Sequence, residues 1–160
     1  MDALLTAIVI WLSSNYDLPA TFEHPHIERV PSIEMATLPY KNLLMSRRRE
    51  VSVIEGQETS FERMRHVVAL YNDQTKTIYL SNRWAGRTPG ELSVLVHELV
   101  HHLQNEAGLT YECPAEREKL AYEAQDKWLG LFGRSLEREF EINGLALLIS
   151  TSCAMAIGLH

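Results

Sequence analysis

The run Thr88-Pro89-Gly90-Glu91-Leu92-Ser93-Val94-Leu95-Val96-His97-Glu98-Leu99-Val100-His101-His102-Leu103-Gln104 carries the pattern H-E-x-x-H inside a segment with helical spacing. Thr88 followed three residues later by Glu91 is a capping-box pattern, Pro89 suits the first helical position, and Gly108 supplies a stop. Leu92, Leu95, Val96, Leu99 and Leu103 recur at helical spacing and form one apolar stripe. His97, His101 and Gln104 fall off that stripe, which predicts histidines turned away from the main core seam. Residues four apart on a helix lie nearly above one another, so His97 and His101 can aim two imidazole nitrogens at one ion. Glu98 sits about 100° further round. There it can serve a water at the metal as general base without ligating the ion.

Two histidines leave a metal site incomplete. After Gly108, Pro114 opens a second helical pattern that runs to about residue 132, with Glu116, Glu118 and Glu123 as candidate ligands. Stepping about 100° per residue from Glu118 places Ala121, Tyr122, Gln125, Trp128, Leu129 and Phe132 on its side. Glu116 and Glu123 fall on the opposite side with Lys127. Glu118 is therefore a carboxylate on a face headed for the interior, where a charge is costly unless it is paired or metal-bound. It is the predicted third ligand, with a salt bridge to Arg117 or Lys119 as the plain alternative. Glu116, Glu123, Cys113 and His102 stand next in line.

H-E-x-x-H followed, 17 residues beyond His101, by Glu118-Lys119-Leu120-Ala121 resembles the gluzincin branch of zinc metallopeptidases. There the third ligand opens an E-x-x-A or E-x-x-S pattern on the next helix. The resemblance covers roughly residues 67–130. It implies Zn²⁺ held by His97, His101 and Glu118, a peptide or protein substrate, and Glu98 as the catalytic base. Family members often place Asp after the small residue. Tyr122 stands there in this chain, which leaves the partner behind His97 or His101 unassigned. The whole chain also resembles a group of small bacterial zincin-like proteins, a likeness that adds no substrate.

A length of 160 residues suits one domain, residues 1–160, and 46 % hydrophobic with 22 % charged residues suits a globular chain. A net charge of −6 argues against nucleic acid and against electrostatic binding to an anionic membrane. Arg47-Arg48-Arg49 reads as a solvated loop. Cys113 and Cys153 are too few to assign a compartment; small buried thiols are favoured over a bridge, which an oxidising compartment would permit. The chain is accordingly read as cytoplasmic, with export as the alternative.

Leu4, Leu5, Ile8, Trp11 and Leu12 predict a short amphipathic helix that packs on the domain and ends at Asp17-Leu18-Pro19. It is preferred over a signal segment because Asp2 precedes it and no Lys or Arg comes before Arg29. Residues 19–50 hold Pro19, Pro25, Pro31 and Pro39 and predict an irregular strap, with one turn at 32–36 and surface histidines His24 and His26. A short strand is expected at 51–54, and a hairpin pairs 66–71 with 75–80. In zincin-like folds such a sheet lies beside the metal helix, and its edge strand can take an extended peptide. Trp84 is expected to line the cleft. A helix over 136–142 follows, then the uncharged stretch 144–160, too short and diluted for a membrane span and read as a buried terminal helix or interaction tail.

The expected fold is α+β and zincin-like, a small antiparallel or mixed sheet packed on the H-E-x-x-H helix with further helices behind. The chemistry expected is peptide hydrolysis, with Tyr122, Tyr111 or His102 as donor to the oxyanion. The alternative is a non-catalytic zinc-binding structural or interaction module. Glu98 separates the two, because a structural site has no use for an acid at that position.

Overall fold

A computed structural model describes residues 1–31 and 69–153, which build helices and a three-stranded sheet, an α+β chain. They cluster into two compact units. The helical one comprises Met1–Pro25 and Gly86–His160; the other, His26–Ala85, contains the sheet. The expected turn at 32–36, the arginines at 47–49, the strand at 51–54 and the first part of the hairpin at 66–68 lie outside the described residues, as do residues 154–160.

The sheet consists of β1 (His26–Val30), β2 (Ala69–Asn72) and β3 (Thr77–Ser81) in the order β1-β3-β2. The predicted hairpin is present: β2 runs antiparallel to β3, with Tyr71 opposite Ile78. The Asn72 side chain accepts the amides of Gln74 and Thr75 and Lys76 takes φ +49°, so the turn closes on side-chain chemistry. β3 is central, and Ile78 and Leu80 are buried. β1 corrects the strap reading for residues 26–30. Pro25 and Pro31 bracket five residues free of proline, and those pair in parallel with β3, Ile27 opposite Ile78. The prolines punctuate the strand instead of preventing it. Trp84 is buried beneath the Arg29 guanidinium, 5.3 Å from its ring centre. That corrects its assignment to a cleft wall.

In the helical unit α1 (Asp2–Asn15) buries Leu5, Ile8 and Leu12 of the predicted stripe together with Val9, while Leu4 and Trp11 are half-buried. Trp11 meets Trp128 edge-on at 5.3 Å. α2 (Pro89–Glu106) begins at the predicted cap: Thr88 Oγ1 accepts the Glu91 amide, and the Glu91 carboxylate accepts the Thr88 amide. It ends where Gly108 turns left-handed at φ +63°, and the Leu109 amide reaches back to the Gln104 carbonyl. Every residue from Leu95 to Gln104 is buried. The expected face turned away from the core is therefore itself enclosed, and α2 is a central helix.

α3 (Pro114–Gly130) packs along α2. Its inward face is as predicted for Ala121, Gln125 and Leu129, while Glu116 and Glu123 are exposed. Phe132 departs, being exposed beyond the helix end. α4 (Leu136–Phe140) is shorter than the expected 136–142, because Glu141 takes φ +56°. α5 (Gly144–Ser150) overturns the buried terminal helix: Leu145, Leu148 and Ile149 face solvent. Cys113, the residue preceding α3, is bonded to Cys153. That corrects the free-thiol reading and removes Cys113 from the candidate ligands. Among the described residues no helix is long and apolar enough to cross a membrane.

Candidate metal centre

The capping box and the glycine stop set the register of α2, and one turn of that helix aligns His97 with His101. Their Nε2 atoms are 3.2 Å apart. Glu118, one turn into α3, brings Oε2 to 3.1 Å from His97 Nε2 and Oε1 to 3.2 Å from His101 Nε2. These three side chains are the predicted ligand set, and they form a group able to hold a metal ion. Zinc sites place nitrogen and oxygen ligands about 2.0–2.1 Å from the ion in a tetrahedron, whose edges are then about 3.3 Å. The observed separations, which are those of hydrogen bonds in the metal-free chain, are also close to such edges, so the residues present can accommodate a metal ion.

Electrostatics describe the same convergence. Burial works against ionising Glu118, yet hydrogen bonds from His101 and His97 and their charge hold its carboxyl well below the usual carboxylate range. Burial likewise opposes charge on His101, but Glu118, with Glu98 adding to it, raises its pKa against the opposing charge of Arg117.

The groups behind the two imidazoles were not assigned from the sequence. His97 Nδ1 is 3.0 Å from Gln125 Oε1, and His101 Nδ1 is 3.0 Å from Gln104 Oε1. Gln125 Nε2 donates to Ser93 Oγ, whose own proton goes to the Gly90 carbonyl. Gln104 Nε2 donates to the Arg117 carbonyl, while Arg117 Nε donates to Gln104 Oε1. Both amides are thus oriented with oxygen towards histidine, and each Nδ1 must be the donor. The available signal was positional: Gln104 stands three residues after His101, and Gln125 shares the inward face of α3 with Glu118.

The chain belongs to the DUF6647 family. The family model, described as a domain of unknown function, matches residues 1–157, and no curated protein or solved structure matches the chain. In this DUF6647 member Glu98 is buried beside His97, and its charge contributes to the raised pKa values of His101 and Tyr122. Tyr122 sets its ring edge-on to His97 at 4.7 Å, and burial, then Glu118 and Glu98, push its hydroxyl up. It packs on His97, at the position where gluzincins often have Asp. Tyr122 also lines a groove of about 640 Å³ with Lys119, Asp126, Leu136, Ile142 and Leu147.

The other candidates are engaged elsewhere. His102 Nε2 donates to the Glu23 carbonyl at 2.8 Å, so this side chain fastens residues 19–25 to α2 and lies outside the ligand group. His24 pairs with Thr6, and His26 is exposed on β1. Glu116 accepts the Glu112 amide. Tyr111 is half-buried at the entry to α3. Burial raises its pKa, with Arg117 opposing and Glu116 assisting.

Proposed function

We propose that this chain is a zinc-dependent metallopeptidase of zincin-like fold, with His97, His101 and Glu118 as ligands and Glu98 as general base. The observation that carries the reading is the direction of the hydrogen bonds. Both Nδ1 atoms donate to glutamine oxygens, so on neutral imidazoles it is the Nε2 atoms that carry the lone pairs, and these lie 3.1–3.2 Å from Glu118 and from each other. In the metal-free chain protons on Nε2 hold the two histidines to Glu118, and a divalent cation can take the place of those protons. Zinc, when bound, lowers the pKa of water and polarises a carbonyl.

The remaining work falls to the chain. Glu98 accepts a proton from the attacking water and returns it to the leaving amine, so its carboxylate must be ionised at the start of the cycle. Tyr122, which packs edge-on to His97 and lines the groove, donates its hydroxyl proton in a hydrogen bond to the oxyanion. The groove lined by Tyr122, Leu136, Ile142 and Leu147 contains neither the three candidate ligands nor Glu98 and meets the site at Tyr122.

Glu98→Gln is the deciding variant. Zinc content and cleavage of fluorescently labelled casein are measured on the native chain and the variant. The expected result is about one zinc in both, with turnover lost by at least about 10²-fold in the variant. Equal, metal-dependent turnover would overturn the role of Glu98. Zinc without turnover in the native chain would favour the structural module.

A further inference from the structure

We infer that Ser93, which is no ligand, is a positioning residue that fixes the tautomer of His97 through Gln125 and so sets the metal affinity of the site. The inference rests on the metal reading above and adds to it a residue four positions before the H-E-x-x-H motif. The argument follows the protons. Gly90 O can only accept, and Ser93 Oγ–H, fully buried, donates to it at 2.7 Å. A hydroxyl has one proton, so towards Gln125 the Ser93 oxygen can only accept, and it receives the Gln125 Nε2–H at 3.2 Å. That bond turns Gln125 Oε1 to His97 Nδ1, 3.0 Å away. Nδ1 then carries the proton, and Nε2 presents its lone pair to the centre shared with His101 and Glu118.

The orientation of Gln125 is the bistable element. Oxygen and nitrogen of a primary amide have nearly the same shape, and only their partners decide which faces which. Among the described residues the Ser93 hydroxyl is the acceptor that holds the Gln125 nitrogen away from His97. A flipped amide would offer an N–H to Nδ1, move the lone pair there and place the proton on Nε2, the atom needed by the ion. His101 has a different safeguard. Its Gln104 is held by Arg117, whose guanidinium can only donate: Nε donates to Gln104 Oε1 at 3.3 Å, while Nη2 donates to the His101 carbonyl at 3.0 Å. The hydroxyl relay is therefore confined to His97, and Ser93 is the position where a change remote from the ion should be felt.

The test is a zinc titration of the full chain against a competing chelator, using Zn²⁺ alone, with the melting temperature of the zinc-free chain recorded beside it. Removing a hydrogen-bond partner behind a ligand histidine typically costs 10- to 100-fold in metal affinity. Ser93→Ala should weaken zinc binding about tenfold, and Ser93→Thr, which restores a hydroxyl, should return it to within about twofold of the native value. Gln125→Leu, which removes the acceptor, should lose about 10- to 100-fold.

The decisive arm is the Gln125→Glu background. A carboxylate has no nitrogen to flip and accepts from Nδ1 in either orientation, so there Ser93→Ala should change affinity by less than about twofold. Equal losses in both backgrounds would mean that Ser93 acts by packing alone and would overturn the inference. So would unchanged affinity in Ser93→Ala or Gln125→Leu. A native chain that binds no zinc would be a different failure, since it removes the metal reading and this inference with it.

Discussion

Replacing both Cys113 and Cys153 by serine removes a covalent tie that spans α3, α4 and α5. The bonded cysteines stand 40 positions apart. In the chain-entropy account, closing a loop of that length removes about 13 cal/mol/K from the unfolded ensemble, or about 4 kcal/mol at room temperature. A domain of this size is stable by about 5–15 kcal/mol, so the double variant should lose between a quarter and most of its stability. The assay is guanidinium unfolding of the zinc-free oxidised chain and of the serine variant, followed by far-ultraviolet circular dichroism. The cross-link acts on the unfolded chain, so zinc affinity of the folded variant should stay within about threefold of the native value. A stability loss below about 1 kcal/mol would refute the entropic reasoning. A loss of zinc affinity beyond tenfold would show instead that the bond holds the first turn of α3, and with it Glu118, in place.

Other outcomes follow from the same geometry. In the zinc-free chain His101 has a raised pKa, so its contribution is complete below the ordinary value of 6.5 and is lost as pH rises through the raised one. Glu118 has a depressed pKa; its contribution is present above the ordinary 4.5 and is lost as pH falls towards the depressed value. Thermal unfolding with chelator present should therefore show greatest stability between about 4.5 and 6.5, whereas the shift produced by added zinc grows with pH as protons cease to compete. Leu99→Ala, at a fully buried site of α2, should cost about 2–5 kcal/mol in denaturant unfolding. Tyr122→Phe keeps the ring against His97 and should bind zinc as the native chain does, while casein cleavage falls by about 10²-fold; undiminished cleavage would remove the hydroxyl from the mechanism.

Much of the candidate centre was legible because its determinants are local. Thr88, Glu91 and Gly108 mark the ends of α2, four-residue spacing aligns His97 with His101, and Glu118 betrays itself as a charge on an inward face. The relay was not legible, because Ser93 and Gln125 are 32 residues apart and neither carries metal chemistry alone. The disulfide is a matter of tertiary proximity: two cysteines permit a bond without requiring one. β1 is hidden in the sequence because four prolines spread over 19–50 argue against regular structure, although the gap between Pro25 and Pro31 is long enough for a strand. The enclosure of the histidines was missed for a related reason. A single stripe predicts one packed face, whereas α1, α3 and the chain at Glu23 each cover part of α2.

The two amides behind the imidazoles bear on the charge balance of the site. Many metal centres back their histidines with carboxylates, each adding a negative charge; Gln104 and Gln125 add none. The charges that act on His101 are instead the Glu118 and Glu98 carboxylates and, opposing them, the Arg117 guanidinium. A divalent cation held between His97, His101 and Glu118 would be drawn by the two carboxylates and opposed by Arg117, with the neutral amides leaving that balance unchanged.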